Sequence, residues 1–599
     1  MLVPLLILFA TQTPPRLEET IVVTAEGIEQ PWRESTAAVT VLTHDELTRL
    51  PAHNLGDALR LVPGLQLIAV NPGAPPMLSS RGFFGAGEVE YVQLLVDGVP
   101  VADAESGLAD WRSIPLDDVD RIEILRGPGS SLFGDAAIGG VVQVFRARST
   151  RAQWTAGSPS SWQGEVSLPS FGFRATQDEG FRAHAKSREV FANAAFERGK
   201  FKTTIDVADR TREDPGALAN KNTFDSDPLF AQDEEQTRTA RASVQYRGAF
   251  DAAMHVQHRD SDRTRTFLLA PGFGDRATRS LETFGGGANV TRTIERAKRR
   301  VILGADVSAD AMRSRYGDVR GEGSRKRGAV FASGEWRITR AVRLAGGARI
   351  DSIADSFEGK RMRDDAFSPR AGVAVELHGV TSYLQLSRAF KAPTLDQRFD
   401  QRPDIAISNP ELRAQRANDV ELGVRRATST HAWELAAYAM RVEDEIDFDV
   451  RTFRYANIGS SVHRGIESRW QWTPADAWKV SAAYTWTRAE SGGKQLKNIA
   501  EHVVRADADF HARVDVHLGI EHSANRWLDD DNLLPLDDAT VVDLRLAKTF
   551  ASLTASLDAN NLFDSRYAPL GFSLGDTPYY FPAAGRALAV TLTWKGTAR

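Results

Sequence analysis

Few side chains in this 599-residue chain have the types and spacing that catalysis or metal binding requires. The run Asp529-Asp530-Asp531-Asn532 offers hard oxygen ligands, so Asp529, Asp530 and Asp531 form a candidate Ca²⁺ site, with a plain acidic loop as the competing interpretation. His502 and His522 lack metal-ligand spacing. No nucleophile and base motif occurs, so the sequence predicts neither catalysis nor a cofactor.

Composition narrows the classes of partner. The formal net charge is −5 with 26% charged residues, and this near balance argues against nucleic acid, which requires a basic surface. The chain has no cysteine, which excludes disulfides, thiolate metal sites and cysteine nucleophiles.

The N-terminal segment contains two short apolar runs. Residues 1–10, MLVPLLILFA, resemble the apolar region of a secretory signal, although the usual positive residues before it are missing. Residues 18–30 form a second unit, in which the β-branched run from Glu19 to Ala25 is suited to pairing with an exposed sheet edge. From the residues alone, this run is either the first strand of the next domain or a docking strand for a partner protein.

Residues 31–147 predict a small α+β domain. Thr43 and Glu46 have capping-box spacing for a helix over His44–Leu50, and a second helix begins after Asn54. The domain ends in the glycine-rich stretch 121–145, which predicts a compact strand–turn–strand built to pack tightly against another part of the chain.

Residues 148–599 follow a two-residue alternation of apolar and polar side chains. Short joints, as at Lys548-Thr549-Phe550, alternate with long polar stretches, as from Arg388 to Asn418. This asymmetry is typical of an outer-membrane barrel, and the length suits about 22 antiparallel strands. The sequence therefore predicts an all-β transmembrane barrel with the N-terminal α+β domain as a plug inside its lumen.

Several linked motifs resemble the TonB-dependent outer-membrane receptors, and the resemblance covers nearly the whole chain. In the plug they are Arg81-Gly82, Asp97-Gly98 and the stretch IPLDDVDRIEILRGPGSSLFGDAAIGGVV. In the barrel they are SRAFKAPTLDQRF at 387–399, NPEL at 409–412 with VELGVR at 420–425, and the closing segments NLFDSRY and GRALAVTLTW.

The resemblance implies energised import across the outer membrane of a Gram-negative-type bacterium. It identifies a TonB box, the docking segment for the periplasmic C-terminal domain of TonB, which an ExbB/ExbD-type proton-driven motor energises. That box consists of Glu19, Thr20, Ile21, Val22, Val23, Thr24 and Ala25.

The same resemblance implies external loops, a plug apex that faces the ligand, and outer-membrane lipid around the barrel. The candidate ligand-facing residues are Asn71, Met77, Glu105, Trp111, Arg398, Arg402, Tyr579 and Tyr580. The implied ligand is a scarce small-molecule chelate, a ferric siderophore or a cobalamin-like compound. The alternatives are a carbohydrate or other nutrient importer of the same family, or a passive porin.

Overall fold

The computed structural model describes residues 21–22, 27, 30–70, 76–85, 89–112, 114–158, 160–219, 231–270, 273–399, 408–449, 452, 454–574 and 577–596. The predicted signal segment lies outside these residues, as do Glu19, Thr20, Val23, Thr24, Ala25, Asn71 and Arg402. Among the described residues, no helix has the length and apolarity needed to cross a membrane.

The plug is built around a five-stranded sheet with two helices packed against it. In spatial order the strands are Val39–Thr43, Val119–Arg126, Gly140–Arg146, Val92–Val96 and Val99–Pro100. The α-helices are His44–Arg49, Leu55–Leu59 and Ser130–Phe133, and the 3₁₀ turns are Trp32–Glu34 and Leu116–Asp118. Two further antiparallel pairs join Leu65–Ile68 to Met77–Ser80 and Ile21–Val22 to Gln30–Pro31.

Local sequence signals account for the start of this domain. Thr43 and Glu46 form the predicted capping box, and the Asn54 side chain caps the second helix through the backbone N–H of Asp57. In the glycine-rich stretch a one-turn helix, Ser130–Phe133, replaces the plain turn that was expected between the two strands. That helix packs against the wall of the barrel.

The barrel closes when its last strand pairs with its first. In the described part of the chain it has 22 long antiparallel strands, and the two-residue strand Lys494–Gln495 adds to their edge. This confirms the predicted fold class. The long strands are Arg151–Gly157, Ser161–Leu168, Phe171–Asp178, Ser187–Arg198, Phe201–Asp214, Ala231–Arg247, Asp251–Ala270, Phe273–Arg296, Arg299–Tyr316, Val319–Arg337, Val342–Phe357, Lys360–Leu377, Val380–Lys391, Gln415–Ala427, His431–Glu443, Ser460–Ala475, Trp478–Ser491, His502–Phe510, Asp515–Ala524, Ala539–Phe550, Leu553–Asn560 and Ala587–Lys595.

The two ends of the barrel differ. At one, the short-turn end, hairpin joints such as Pro169–Ser170 and Gly199–Lys200 are only two residues long. At the other, the long-loop end, two joints, Gly317–Asp318 and Glu358–Gly359, are equally short, but several connections are long and carry structure of their own. These local elements are the helix Leu395–Arg398 and the strand pairs Ile446–Asp449 with Arg454–Asn457, Arg526–Trp527 with Pro535–Leu536, and Leu570–Leu574 with Thr577–Phe581.

The wall is uneven in height and apolar on its outer face. The strands Arg151–Gly157 and Phe273–Arg296 contain 7 and 24 residues, so the rim slopes at the long-loop end. Val307, Val330 and Leu422 each expose more than half of their surface although they are large and apolar. Such residues alternate with inward polar ones, as expected for strands that face lipid on one side.

Candidate functional site

Buried ion pairs join the plug to one side of the wall. Arg81 and Arg126 come from the plug, and Glu421, Glu434 and Glu467 come from three adjacent strands, Gln415–Ala427, His431–Glu443 and Ser460–Ala475, which we call the glutamate strands. These five side chains are at most 3% exposed. They form the anchor cluster.

The geometry of the anchor cluster is close to ideal for charged hydrogen bonds. Arg81 Nη2 donates to Glu421 Oε2 at 2.6 Å and Arg81 Nε donates to Glu467 Oε1 at 2.9 Å. Arg126 Nη1 donates to Glu467 Oε2 at 2.8 Å, and its other terminal nitrogen donates to Glu434. Glu467 therefore bridges the two plug arginines, and its Oε2 accepts from both, since Arg81 Nη2 also donates to it at 3.1 Å.

Burial and pairing act in opposite directions on these charges. Burial alone would lower the pKa of Arg81, but Glu467 and Glu421 raise it well above its usual value. The Arg81 guanidinium also lies 4.2 Å from the centre of the Tyr438 ring. Removal of one partner would leave an uncompensated charge in a dry interface, so the cluster is a strong attachment of plug to wall.

Residues 30–38, which lead from the docking segment to the first strand of the plug sheet and which we call the linker, are tied to the same carboxylate. Ala38 N donates to Glu421 Oε1 at 2.9 Å, while Arg81 occupies Oε2 of that residue. Arg425 donates to the carbonyl oxygens of Trp32 at 2.9 Å and Ala37 at 2.6 Å. The linker therefore runs along the glutamate strands, and Glu421 joins it directly to the anchor cluster.

The described part of the predicted docking segment is extended backbone. Ile21 and Val22 pair antiparallel with Pro31 and Gln30. Close by in the chain, Glu34 accepts a hydrogen bond from Arg337 at 2.8 Å, beside a short turn of the barrel. The linker that leads to this segment therefore reaches the short-turn end.

Three of the candidate ligand-facing residues lie where plug and long loops meet. Met77 packs in a cluster with Ile68, Val70 and the loop residue Leu570. Tyr580 N donates to Leu218 O at 2.8 Å, which joins two long loops. Tyr579 stacks on Phe572 with ring centroids 5.3 Å apart. Contact of these residues with a ligand stays a prediction.

Three others were expected to face the ligand, but their side chains are buried in this structure. Trp111 is 0% exposed in the plug core because Ala109 and other apolar neighbours enclose it, and its Nε1 donates to Glu90 at 3.0 Å. Glu105 pairs with Arg279 on the wall. Arg398 donates to Asp355 at 2.6 Å and to Asp364 at 2.7 Å.

The acidic run 529–531 lies in the loop region between two long strands, and local bonds engage its carboxylates. Asp529 accepts from Leu534 N at 2.8 Å, Asp530 accepts from Lys497 at 2.9 Å, and Asp531 pairs with Lys494. In the part of the chain that the structure describes, no group of three His, Cys, Asp or Glu side chains is arranged to hold a metal ion. The Ca²⁺ site stays a prediction.

Comparison with known proteins decides the family. A family model described as "TonB dependent receptor-like, beta-barrel" matches residues 165–562, which is about two thirds of the chain, and a "TonB-dependent Receptor Plug Domain" model matches residues 31–141. The chain belongs to the TonB-dependent receptor family. It is accordingly a receptor of the Gram-negative outer membrane, in agreement with the sequence prediction.

Relatives of this TonB-dependent receptor match it along nearly their full length. The vitamin B12 transporter BtuB of Vibrio cholerae serotype O1 is 24% identical over 99% of this chain and 98% of its own, and BtuB of Photobacterium profundum is 22% identical over 94% and 95%. Solved structures share the fold. The unliganded ferric citrate transporter FecA has a TM-score of 0.79 at 15% sequence identity, and the match covers 94% of this chain and 97% of FecA. The ferric yersiniabactin receptor FyuA of Yersinia pestis has a TM-score of 0.75 at 17% sequence identity, and the match covers 94% of this chain and 98% of FyuA.

Proposed function

We propose that this receptor imports a compact chelate, of the cobalamin or ferric siderophore kind, with energy delivered through TonB. One observation carries the proposal: a single carboxylate, Glu421, holds both the N-terminal linker and the plug arginine Arg81. A pull on the linker is therefore transmitted to the anchor cluster. A passive porin would have no use for such a connection.

In this mechanism the ligand binds at the long-loop end, on surfaces that include Met77, Tyr579 and Tyr580. The C-terminal domain of TonB then adds a strand to the segment Glu19–Ala25 by β-augmentation. An ExbB/ExbD-type motor driven by protons pulls on that strand. Force reaches Glu421 through the linker, the anchor cluster rearranges, and the plug opens a path along the wall.

Cobalamin is the first ligand to test because relatives that match this chain end to end are named as vitamin B12 transporters. Ferric chelates are the second, since the fold is shared with receptors for ferric citrate and ferric yersiniabactin. The short hairpins and compact loop elements suit a small ligand of either kind.

The deciding experiment measures uptake of labelled cyanocobalamin and of labelled ferric chelates in a strain that lacks this gene, complemented with variants. Val22→Pro removes a backbone N–H from the docking strand, whereas Val22→Ala keeps it. We expect uptake with the wild type and Val22→Ala, no uptake with Val22→Pro, and unchanged ligand binding at the surface. Uptake that persists in Val22→Pro, or in the presence of an uncoupler, would contradict the proposal.

A further inference from the structure

A second junction between plug and wall lies far around the barrel from the glutamate strands. There the chain leaves a cavity of about 430 Å³, which we call the seam cavity. The plug contributes His53, Asn54, Asp57 and Arg112 to its lining. The wall contributes residues of the first five long strands and of the last one, Ala587–Lys595.

One group of side chains on the wall side of the seam cavity is small and uncharged, and most of its members can form hydrogen bonds. Thr155, Ser161, Gln163 and Thr176 line it from neighbouring strands, and Ala587 and Ala589 line it from the last strand. None of these side chains carries a charge. The hydroxyl and amide groups of the first four can hydrogen-bond to the amides or hydroxyls of a solute that displaces water.

The charged part of the lining favours an anion. Of the described residues that line the cavity, six are arginines and four are acidic. Arg174 and Arg210 share one carboxylate, that of Glu189. Burial lowers the pKa of Arg112 to about 10; the neighbouring guanidinium of Arg210 adds to the shift, and Asp110 and Glu189 oppose it.

The cavity lies toward the long-loop end of the barrel, and a set of bonds between plug and wall, which we call its floor, lies nearer the short-turn end. Gly157 and Ser161, at the long-loop ends of the two first strands, line it. Nearer the short-turn end, Ser167 Oγ donates to Asp118 Oδ1 at 2.6 Å and Arg151 Nη1 donates to Asp117 O at 2.7 Å. These bonds join wall to plug and form the floor.

We propose that the seam cavity is a second ligand site, which takes the anionic end of an amide- or hydroxyl-bearing ligand on its way from the mouth to the space between plug and wall. The proposal rests on the proposed import function. Ligand would bind first at the mouth and then in this cavity, and movement of the plug would break the bonds of the floor and release the ligand downward.

The chain contains no cysteine, so a single introduced thiol can be modified selectively. Ser161→Cys places the thiol on the cavity wall, and Ser460→Cys places a matched thiol on an exposed strand end beside the long loops, outside the cavity. Both variants are labelled in cells with a bulky maleimide. Surface binding and uptake of cyanocobalamin and ferric citrate are then measured separately.

We expect labelled Ser161→Cys to bind the imported probe at the surface as the wild type does but to import it at least tenfold more slowly. Labelled Ser460→Cys should import normally. Saturating probe should also slow the modification of Ser161→Cys and leave that of Ser460→Cys unchanged, a readout that does not depend on transport.

A charge variant tests the class of ligand. Arg112→Gln should raise the half-saturating concentration for uptake of the imported probe several-fold with unchanged surface affinity, and Arg112→Lys should restore it. Normal uptake by fully labelled Ser161→Cys would overturn the second site, and an unaltered Arg112→Gln would overturn its preference for an anion. If the wild type imports neither probe, the import function itself fails, and the cavity proposal fails with it.

Discussion

The plug is held to the wall in different ways on its two sides. At the glutamate strands, Arg81 and Arg126 bury their charges against Glu421, Glu434 and Glu467 without a gap. At the seam cavity, plug and wall leave about 430 Å³ of space between them, lined by small neutral side chains and by charged ones such as Arg174 and Glu189. One side attaches the plug, and the other leaves room for a solute.

The position of the linker gives this difference a mechanical meaning. The chain that leads to the docking segment runs along the attached side, so a pull acts first on the bonds that hold the plug most strongly. On the side with the cavity, the plug is held by the bonds of the floor, by Arg174, which donates to Arg112 O at 3.0 Å, and by the ion pair of Arg210 with Asp110. The four predictions that follow test how firmly the attached side and the neighbouring plug contacts hold, and hydrogen exchange of plug amides in the intact protein is their common readout.

Loss of Arg81 should have the largest effect. Arg81→Ala removes the guanidinium that pairs with buried Glu421 and leaves Glu467 with Arg126 alone, which costs about 3–5 kcal/mol of plug attachment. We expect plug amides near Arg81 to exchange on the order of 10²-fold or more faster. Arg413→Ala, which removes an exposed ion pair with Asp444, is the control and should change little. Equal exchange in both variants would mean that the anchor cluster does not hold the plug.

Glu421→Gln should have the next largest effect. The amide keeps one acceptor and the shape of the side chain, but it loses the charge that faces Arg81, so we expect a cost of about 1.5–3 kcal/mol. Exchange should rise both in the linker near Ala38 and around Arg81, because both bond to this side chain. A rise confined to one of the two would show that Glu421 does not couple them.

Glu46→Gln tests a plug contact at the short-turn end. Burial opposes ionisation, yet Lys479 and Arg469 lower the pKa of Glu46 to about 2. The carboxylate therefore stabilises the plug above its unfolded pKa and stops doing so as the pH falls through about 2. At pH 7 we expect Glu46→Gln to cost about 1 kcal/mol at the first helix, through the cap and the ion pair together. No difference from wild type at pH 7 would contradict this role.

Glu90→Gln should have the smallest effect, at low pH, where the carboxyl is protonated and resembles the amide. Burial raises the pKa of Glu90 to about 7, while Trp111, the backbone N–H groups of Tyr91 and Val92, and Lys391 oppose the shift. A raised pKa stabilises the fold at low pH, and this stability is lost as the pH rises through about 7. The exchange ratio of wild type to Glu90→Gln in the strand Val92–Val96 should therefore grow between pH 5 and pH 8. A constant ratio would show that Glu90 does not titrate there.

The sequence predicts what depends on near neighbours along the chain. The Thr43 capping box, the alternating barrel strands and the number of strands all rest on local spacing, and the structure contains them. The anchor cluster could not be found in this way, because Arg81 and Glu467 are 386 residues apart in the chain. They come together only when the strands pair in register and the barrel closes around the plug. One signal was present: Glu421 is a charged inward residue beside the outward Leu422. Trp111 was misplaced because its polar loop context concealed the apolar packing that buries it.

The sloping rim sets a limit on what can reach the seam cavity. The strand Phe273–Arg296 is much longer than the strand Arg151–Gly157. The difference in length raises the wall on the side of the longer strand by roughly 40 Å. A body as large as a folded protein that rests on the tall strands is held above the low side, whereas a small solute passes beneath it. The shape of this edge therefore predicts discrimination by size before any side chain makes a bond.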